Sequence, residues 1–130
     1  MNAFLVSDET FRYPTAAADY IDHNVTPVRG RIINEFTWGG YLSWRLGARY
    51  QVFVDGRTQL YSREFWETTY LCDDAVRINT FRSMQADVAL VSVEKSRFKK
   101  PLETLGWKKV YADDHAIVLI PARAAQSLSE

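Results

Sequence analysis

Two short apolar runs, Ile32–Phe36 and Val52–Val54, most constrain what this chain can become. A small amphipathic segment, Trp38–Leu46, joins them. Strand, helix and strand in that order form a parallel pair with a right-handed crossover. Each run ends in an abrupt polar cluster. Asn34, Glu35, Thr37, Trp38, Gly39 and Gly40 surround the end of the first, and Asp55, Gly56 and Arg57 follow the second. Parallel strands bring both clusters to one edge of a sheet, the edge at which open α/β folds place their ligands.

The remaining segments support that edge. Pro14 suits a first helical position, and Ala17, Tyr20 and Ile21 repeat at helical spacing, which predicts a helix over Pro14–His23. Asn24–Gly30 reads as a loop and Arg31–Phe36 as the first strand. Thr37 can cap the next helix, one face of which holds Trp38, Tyr41, Leu42, Arg45 and Leu46, with Gly47 closing it as a C′ glycine. Gln51–Asp55 is the second strand. Ser62 caps a helix to about Cys72, with Tyr61 and Trp66 placed as a hydrophobic staple. Asp73 and Asp74 restart a helix to about Gln85, with Ala75, Ile78, Phe81 and Arg82 on one face. Val88–Val93 is nearly all apolar, as a strand covered on both faces should be. Pro101 opens a short helix stopped by Gly106. Trp107–Ala112 and His115–Ile120 form a hairpin about Asp113–Asp114.

The expected fold is α/β: a small layered domain on a mixed sheet of about five strands, flanked by helices. The first three strands are parallel, and the C-terminal hairpin adds an antiparallel edge; an order of 2-1-3 at the core would put the switch point beside the first strand. Residues 1–13 read as a lead-in, 14–121 as a single domain and 122–130 as a flexible tail. The start, Met1–Asn2–Ala3, reads as an expression remnant, so the chain is expected to be a fragment of something longer.

Composition removes several function classes. Lys+Arg 16 balance Asp+Glu 16, so there is no basic footprint for nucleic acid and no polybasic membrane patch. A single cysteine, Cys72, excludes an internal disulfide and a multi-cysteine metal site, and its setting suggests a buried inert thiol. No Ser–His–Asp or Cys–His arrangement is present. His23 and His115 are expected to lie far from the edge cluster, in solvated or capping roles. Lys95, Arg97, Lys99 and Lys100 read as a solvated face. No catalytic residue, metal ligand or cofactor is assigned.

At the edge itself, each residue has two readings. Gly39–Gly40 either relieves crowding between helix and strand or lets a ligand approach the free N–H groups. Asp55 and Arg57, with Glu35, either pin two loops as an ion-paired network or grip a polar substrate. Glu35 and Asp55 as an acid–base pair need a separation that the sequence does not supply.

The string Gly30-Arg31-Ile32-Ile33-Asn34-Glu35, then Trp38-Gly39-Gly40-Tyr41-Leu42, Trp44-Arg45-Leu46, Val52-Phe53-Val54-Asp55-Gly56-Arg57 and Leu60-Tyr61 carries a resemblance. It resembles a soluble domain at the carboxyl end of bacterial multi-pass membrane proteins of the GT-C glycosyltransferase type. That class includes relatives of protein mannosyltransferases and oligosaccharyltransferases. Gly106-Trp107, Val110-Tyr111, Asp113-Asp114 and Ala116-Ile117-Val118 also fit, so the match spans Pro14 to Ile120. A more distant similarity is to the tryptophan–aspartate–tyrosine–glycine motif of oligosaccharyltransferase catalytic subunits. Here Gly39 stands in place of the acid and Thr37 in place of a second tryptophan, so sequon binding is not carried over.

The resemblance implies an extracytoplasmic, periplasmic domain whose partner is the transmembrane part of its own parent chain. The catalytic carboxylates of that class lie between membrane helices, so this chain would not be an enzyme alone. Asn34, Glu35, Trp38, Gly39, Gly40, Tyr41, Asp55, Arg57 and Tyr61 would contact a glycan or peptide acceptor or dock membrane-domain loops. Two alternatives stand beside this reading. One is a free-standing α/β enzyme or nucleotide- or sugar-phosphate-binding module using the Gly39–Gly40 helix start. The other is a purely structural cap on a membrane bundle.

Overall fold

A computed structural model describes residues 13–25, 30–47, 49–53, 62–94 and 96–123. Its elements run α1 (Thr15–Asn24), β1 (Gly30–Asn34), a 3-10 turn (Phe36–Trp38), α2 (Gly39–Leu46), β2 (Tyr50–Val52), α3 (Arg63–Thr69), α4 (Asp74–Met84), β3 (Val88–Ser92), α5 (Lys99–Thr104), β4 (Lys108–Ala112) and β5 (Ala116–Ile120). The five strands form one sheet in the order β2-β1-β3-β5-β4. β1 pairs in parallel with β2 and β3, whereas β5 runs antiparallel to β3 and β4. This is the α/β architecture expected from the sequence, with its 2-1-3 core and its antiparallel hairpin.

The sheet is buried on both faces at its centre, where Ile32 and Ile33 of β1, Val88–Val91 of β3 and all of β5 are apolar. Successive residues alternate between two cores, as the two-residue period of a strand requires. Ile32, Val88, Leu90, Ala116, Val118 and Ile120 face α1 and α2. Ile33, Ala89, Val91, Ile117 and Leu119 face the layer that holds Phe81, Phe98 and Leu102. Helices on both faces are what right-handed crossovers impose when the second crossover reverses direction across the sheet. Between Lys109 and Tyr111 the β4–β5 register slips, and Val110 and Tyr111 both reach the first core.

Local signals account for some of the helix boundaries. Ser62 Oγ accepts from Phe65 N at 3.1 Å and starts α3. Asp73 Oδ1 accepts from Val76 N at 3.1 Å and starts α4. Gly106 adopts φ 91° directly after α5, a conformation that suits glycine. Gln85 takes the same left-handed region at the end of α4, with φ 54°. Among the described residues no helix is long and apolar enough to cross a membrane.

Several expectations are corrected. Thr37 does not cap α2: it sits exposed in the 3-10 turn, and α2 begins one residue after Trp38 without a side-chain cap. Gly47 is not left-handed, with φ −64°; glycine is needed because a β-carbon would collide with the Ser43 carbonyl oxygen. α3 ends at Thr69 rather than near Cys72. The buried face of α4 is Arg77 and Phe81, while Ala75 and Arg82 are exposed. α5 opens at Lys99, placing Pro101 third in the helix. Cys72 is half-buried rather than buried. Tyr61, the staple residue, and Lys95 lie outside the described residues.

Candidate functional site

The carboxyl ends of β1 and β3 meet at one edge, and the chain supplies polar groups at both. Asn34 is fully buried. Its Oδ1 accepts from Phe53 N at 2.8 Å, and its Nδ2 donates to Glu35 O at 2.9 Å. The amide therefore holds the end of β1 to the residue after β2. Glu35 reaches the other way, and its Oε2 accepts from Ser92 N at 2.9 Å. Burial pushes the Glu35 carboxyl above its ordinary value, against the opposing pull of the Ser96 hydroxyl, the Ser92 N–H and the Arg97 charge. One residue thus extends the sheet towards β2 and the next towards β3, at the point where the backbone ladder stops.

Trp38 is buried at 3% exposure, on the same inward face as Leu42 and Leu46. A ligand stacking on this ring is therefore excluded in the folded state, contrary to its expected place in a contact surface. His115, expected to lie far from the cluster, packs edge-on to Trp38 with ring centroids 5.2 Å apart. The reason is topological: β5 is antiparallel, so it begins where the parallel strands end. Asp113 shapes the turn that brings His115 there. Its Oδ1 accepts from His115 N at 2.8 Å and Ala116 N at 2.7 Å, and its Oδ2 accepts from the Tyr111 hydroxyl at 2.6 Å. Burial pushes the Asp113 carboxyl up, but these three donors together leave it below its ordinary value. The same bond pushes the Tyr111 hydroxyl up to about 12.

The outer side of α2 is different in character. Gly39 is buried against the fold, but Gly40 is exposed, and a β-carbon there would meet nothing within 4 Å. Tyr41 is half-buried and stacks on Tyr13, with centroids 4.8 Å apart and planes at 19°. Trp44 stands 79% exposed, 6.0 Å from the Tyr41 ring. Together these residues form an aromatic ledge beside an open glycine. Trp44 was not among the site residues expected from sequence. Its signal was present in the helical period, which turns Trp44 away from Leu42 and Leu46. Arg45, on the same helix, is committed to Asp19 and Asp22 of α1 and adds no free charge to the ledge.

Of the nine expected contact residues, Asn34, Glu35, Trp38, Gly39, Gly40 and Tyr41 thus fall in one neighbourhood, divided between a buried seam and a surface ledge. Asp55, Arg57 and Tyr61 lie outside the described residues, as does the expected pairing of Arg57 with Glu35 or Asp55. His23 is exposed, with Nδ1 2.8 Å from Asp19 O one turn earlier in α1. Among the described residues, no three His, Cys, Asp or Glu side chains converge as a metal site needs. Comparison with protein-family models, with curated proteins and with solved structures finds no match to this chain.

Proposed function

We propose that this chain is an extracytoplasmic recognition domain of a membrane-bound, glycosyltransferase-like protein, and that it is not catalytic alone. The carrying observation is the division of labour at the sheet edge. Asn34 and Glu35 are bonded into the seam, while Gly40, Tyr41 and Trp44 present an aromatic surface on the outer side of α2. Flat rings bury area against the apolar faces of sugars and peptides without needing a charged partner. The acceptor or a membrane-domain loop would therefore meet the ledge, with any chemistry supplied by other segments of the parent protein.

The membrane context is tested by the native gene product. Several apolar spans upstream of Ala3 are expected, and a product without them overturns this part. The recognition role is tested by Tyr41→Ala and Trp44→Ala in the full-length protein. Each is expected to lower glycosyl transfer about tenfold, the loss of one aromatic contact of about 1.4 kcal/mol; Trp44→Ala should leave the domain's melting temperature unchanged, whereas Tyr41→Ala, which also removes packing on the first core, should lower it slightly. Wild-type transfer in both variants would make the ledge incidental. Trp38→Ala is the contrasting control: it is expected to unfold the domain, because emptying a buried tryptophan site costs about 3–5 kcal/mol.

A further inference from the structure

We propose that Glu35 is a charge-controlled latch: its side chain pins the loop between β3 and α5 to the end of β1, and its ionisation loosens that loop. The backbone ladder between β1 and β3 ends at the pair Asn34 and Leu90. Two residues further along β3, Ser92 N–H is taken up by the Glu35 carboxyl at 2.9 Å. The next N–H, that of Val93, donates instead to His115 O at 3.1 Å. The start of the loop is thus held from two sides by adjacent amides. One acceptor is a backbone carbonyl, which cannot titrate, and the other is a carboxyl, which can.

The hold extends along the loop. Ser96 is one of the groups that draw the value of the same carboxyl down, and Ser96 Oγ accepts from Phe98 N at 3.1 Å. Phe98 is buried in the second core. The loop is thus held at its start by the Glu35 carboxyl and at its end by Ser96, which caps Phe98 N at the start of α5.

The charges around Glu35 set the direction. β3 offers it the neutral Ser92, and the loop offers Ser96 and Arg97. On the β5 side His115 lies against Trp38. Among the described residues Arg97 is the one charge that acts on the carboxyl, and its side chain is exposed, where solvent weakens the attraction. A protonated carboxyl can still accept from Ser92 N, without carrying a charge into the seam. Burial accordingly raises the folded-state value above the ordinary 4.5. The closed loop then binds the proton more tightly than the open one. Closure is favoured at low pH and weakens as pH rises from 4.5 to the raised value, by up to tenfold per pH unit.

The test is amide hydrogen exchange on the full chain, followed by NMR across Glu35's titration, with the Glu35 carboxyl carbon observed in parallel. The opening constant of Ser92 is expected to rise in step with Glu35 ionisation, while that of Ala89 in mid-strand does not follow it. Glu35→Gln is expected to flatten the Ser92 profile. An opening constant of Ser92 that ignores Glu35's titration overturns the proposal, as does the same pH profile in Glu35→Gln. Should Glu35→Gln fail to fold, the coincidence of the two wild-type titrations decides alone.

Discussion

Two arginine clamps hold the helices on the two sides of the sheet, and they work by different physics. On the α1–α2 side, Arg45 bonds Asp19 and Asp22. Arg49 bonds Asp22 Oδ1 at 2.7 Å and the carbonyls of Asp22 and Val25 at 2.8 and 3.1 Å. These guanidinium groups are a quarter exposed, at 24% and 28%. On the other side Arg77 is buried, at 4% exposure. It donates to the carbonyls of Thr69, Tyr70 and Cys72 at 2.6, 3.4 and 3.1 Å, and to Asp74 at 2.9 Å. The first clamp is a solvated charge network laid over an apolar contact. The second is a buried fork that forms the corner between α3 and α4, because carbonyls at the end of α3 have no helical partners.

The largest effect should come from breaking the buried clamp. Arg77→Ala leaves the buried Thr69 carbonyl and the part-buried carbonyls of Tyr70 and Cys72 without this donor and is expected to destabilise by about 3 kcal/mol in chemical denaturation. Arg77→Lys should recover under half of this, since one ammonium cannot reproduce the fork. A loss below about 1 kcal/mol would place the corner's stability in its aromatic packing instead. Arg49→Ala is expected to cost about 1 kcal/mol, because it also removes donors to the last carbonyls of α1. Arg45→Ala should cost about 0.5 kcal/mol or less and fade at 1 M salt. An Arg45 effect equal to that of Arg77 would erase the distinction.

The smallest effect is a matter of pH. Arg49 and then Arg45 hold the Asp22 carboxyl below its ordinary 3.8. A depressed carboxyl stabilises above its unfolded value, and the gain is lost as pH falls through the folded value. Asp22→Asn should therefore flatten the acid limb of the stability profile below about pH 4. The sign is opposite to that of Glu35, whose contribution weakens as pH rises. An unchanged acid limb in Asp22→Asn would mean the network contributes nothing at equilibrium.

What the sequence disclosed depended on the range of the interactions. The parallel pairing of β1 and β2 followed from a helix between two apolar runs, and the antiparallel edge from two strands around Asp113–Asp114. The caps at Ser62 and Asp73 were legible because each bonds an amide three residues away. The fate of Trp38 was not. Its helical face was read correctly, but only the packing of α2 on the sheet decided that this face turns inward. Arg77 was passed over because three of its four partners are backbone carbonyls, which leave no side-chain pattern in a sequence; only Asp74, one turn earlier, was visible there. His115 reached the edge through the reversal of β5, a tertiary consequence that spacing along the chain does not carry.

The register slip in β4 bears on how the molecule meets copies of itself. β4 is the outermost strand on its side of the sheet, and an outer strand offers unpaired backbone groups to any similar strand that approaches. Here the irregularity falls between Lys109 and Tyr111, beside the exposed lysines Lys108 and Lys109. A flat partner strand would have to match a broken spacing while burying two ammonium groups. The slip that lets Val110 and Tyr111 both reach the core thereby also guards this border of the sheet against open-ended stacking into fibres.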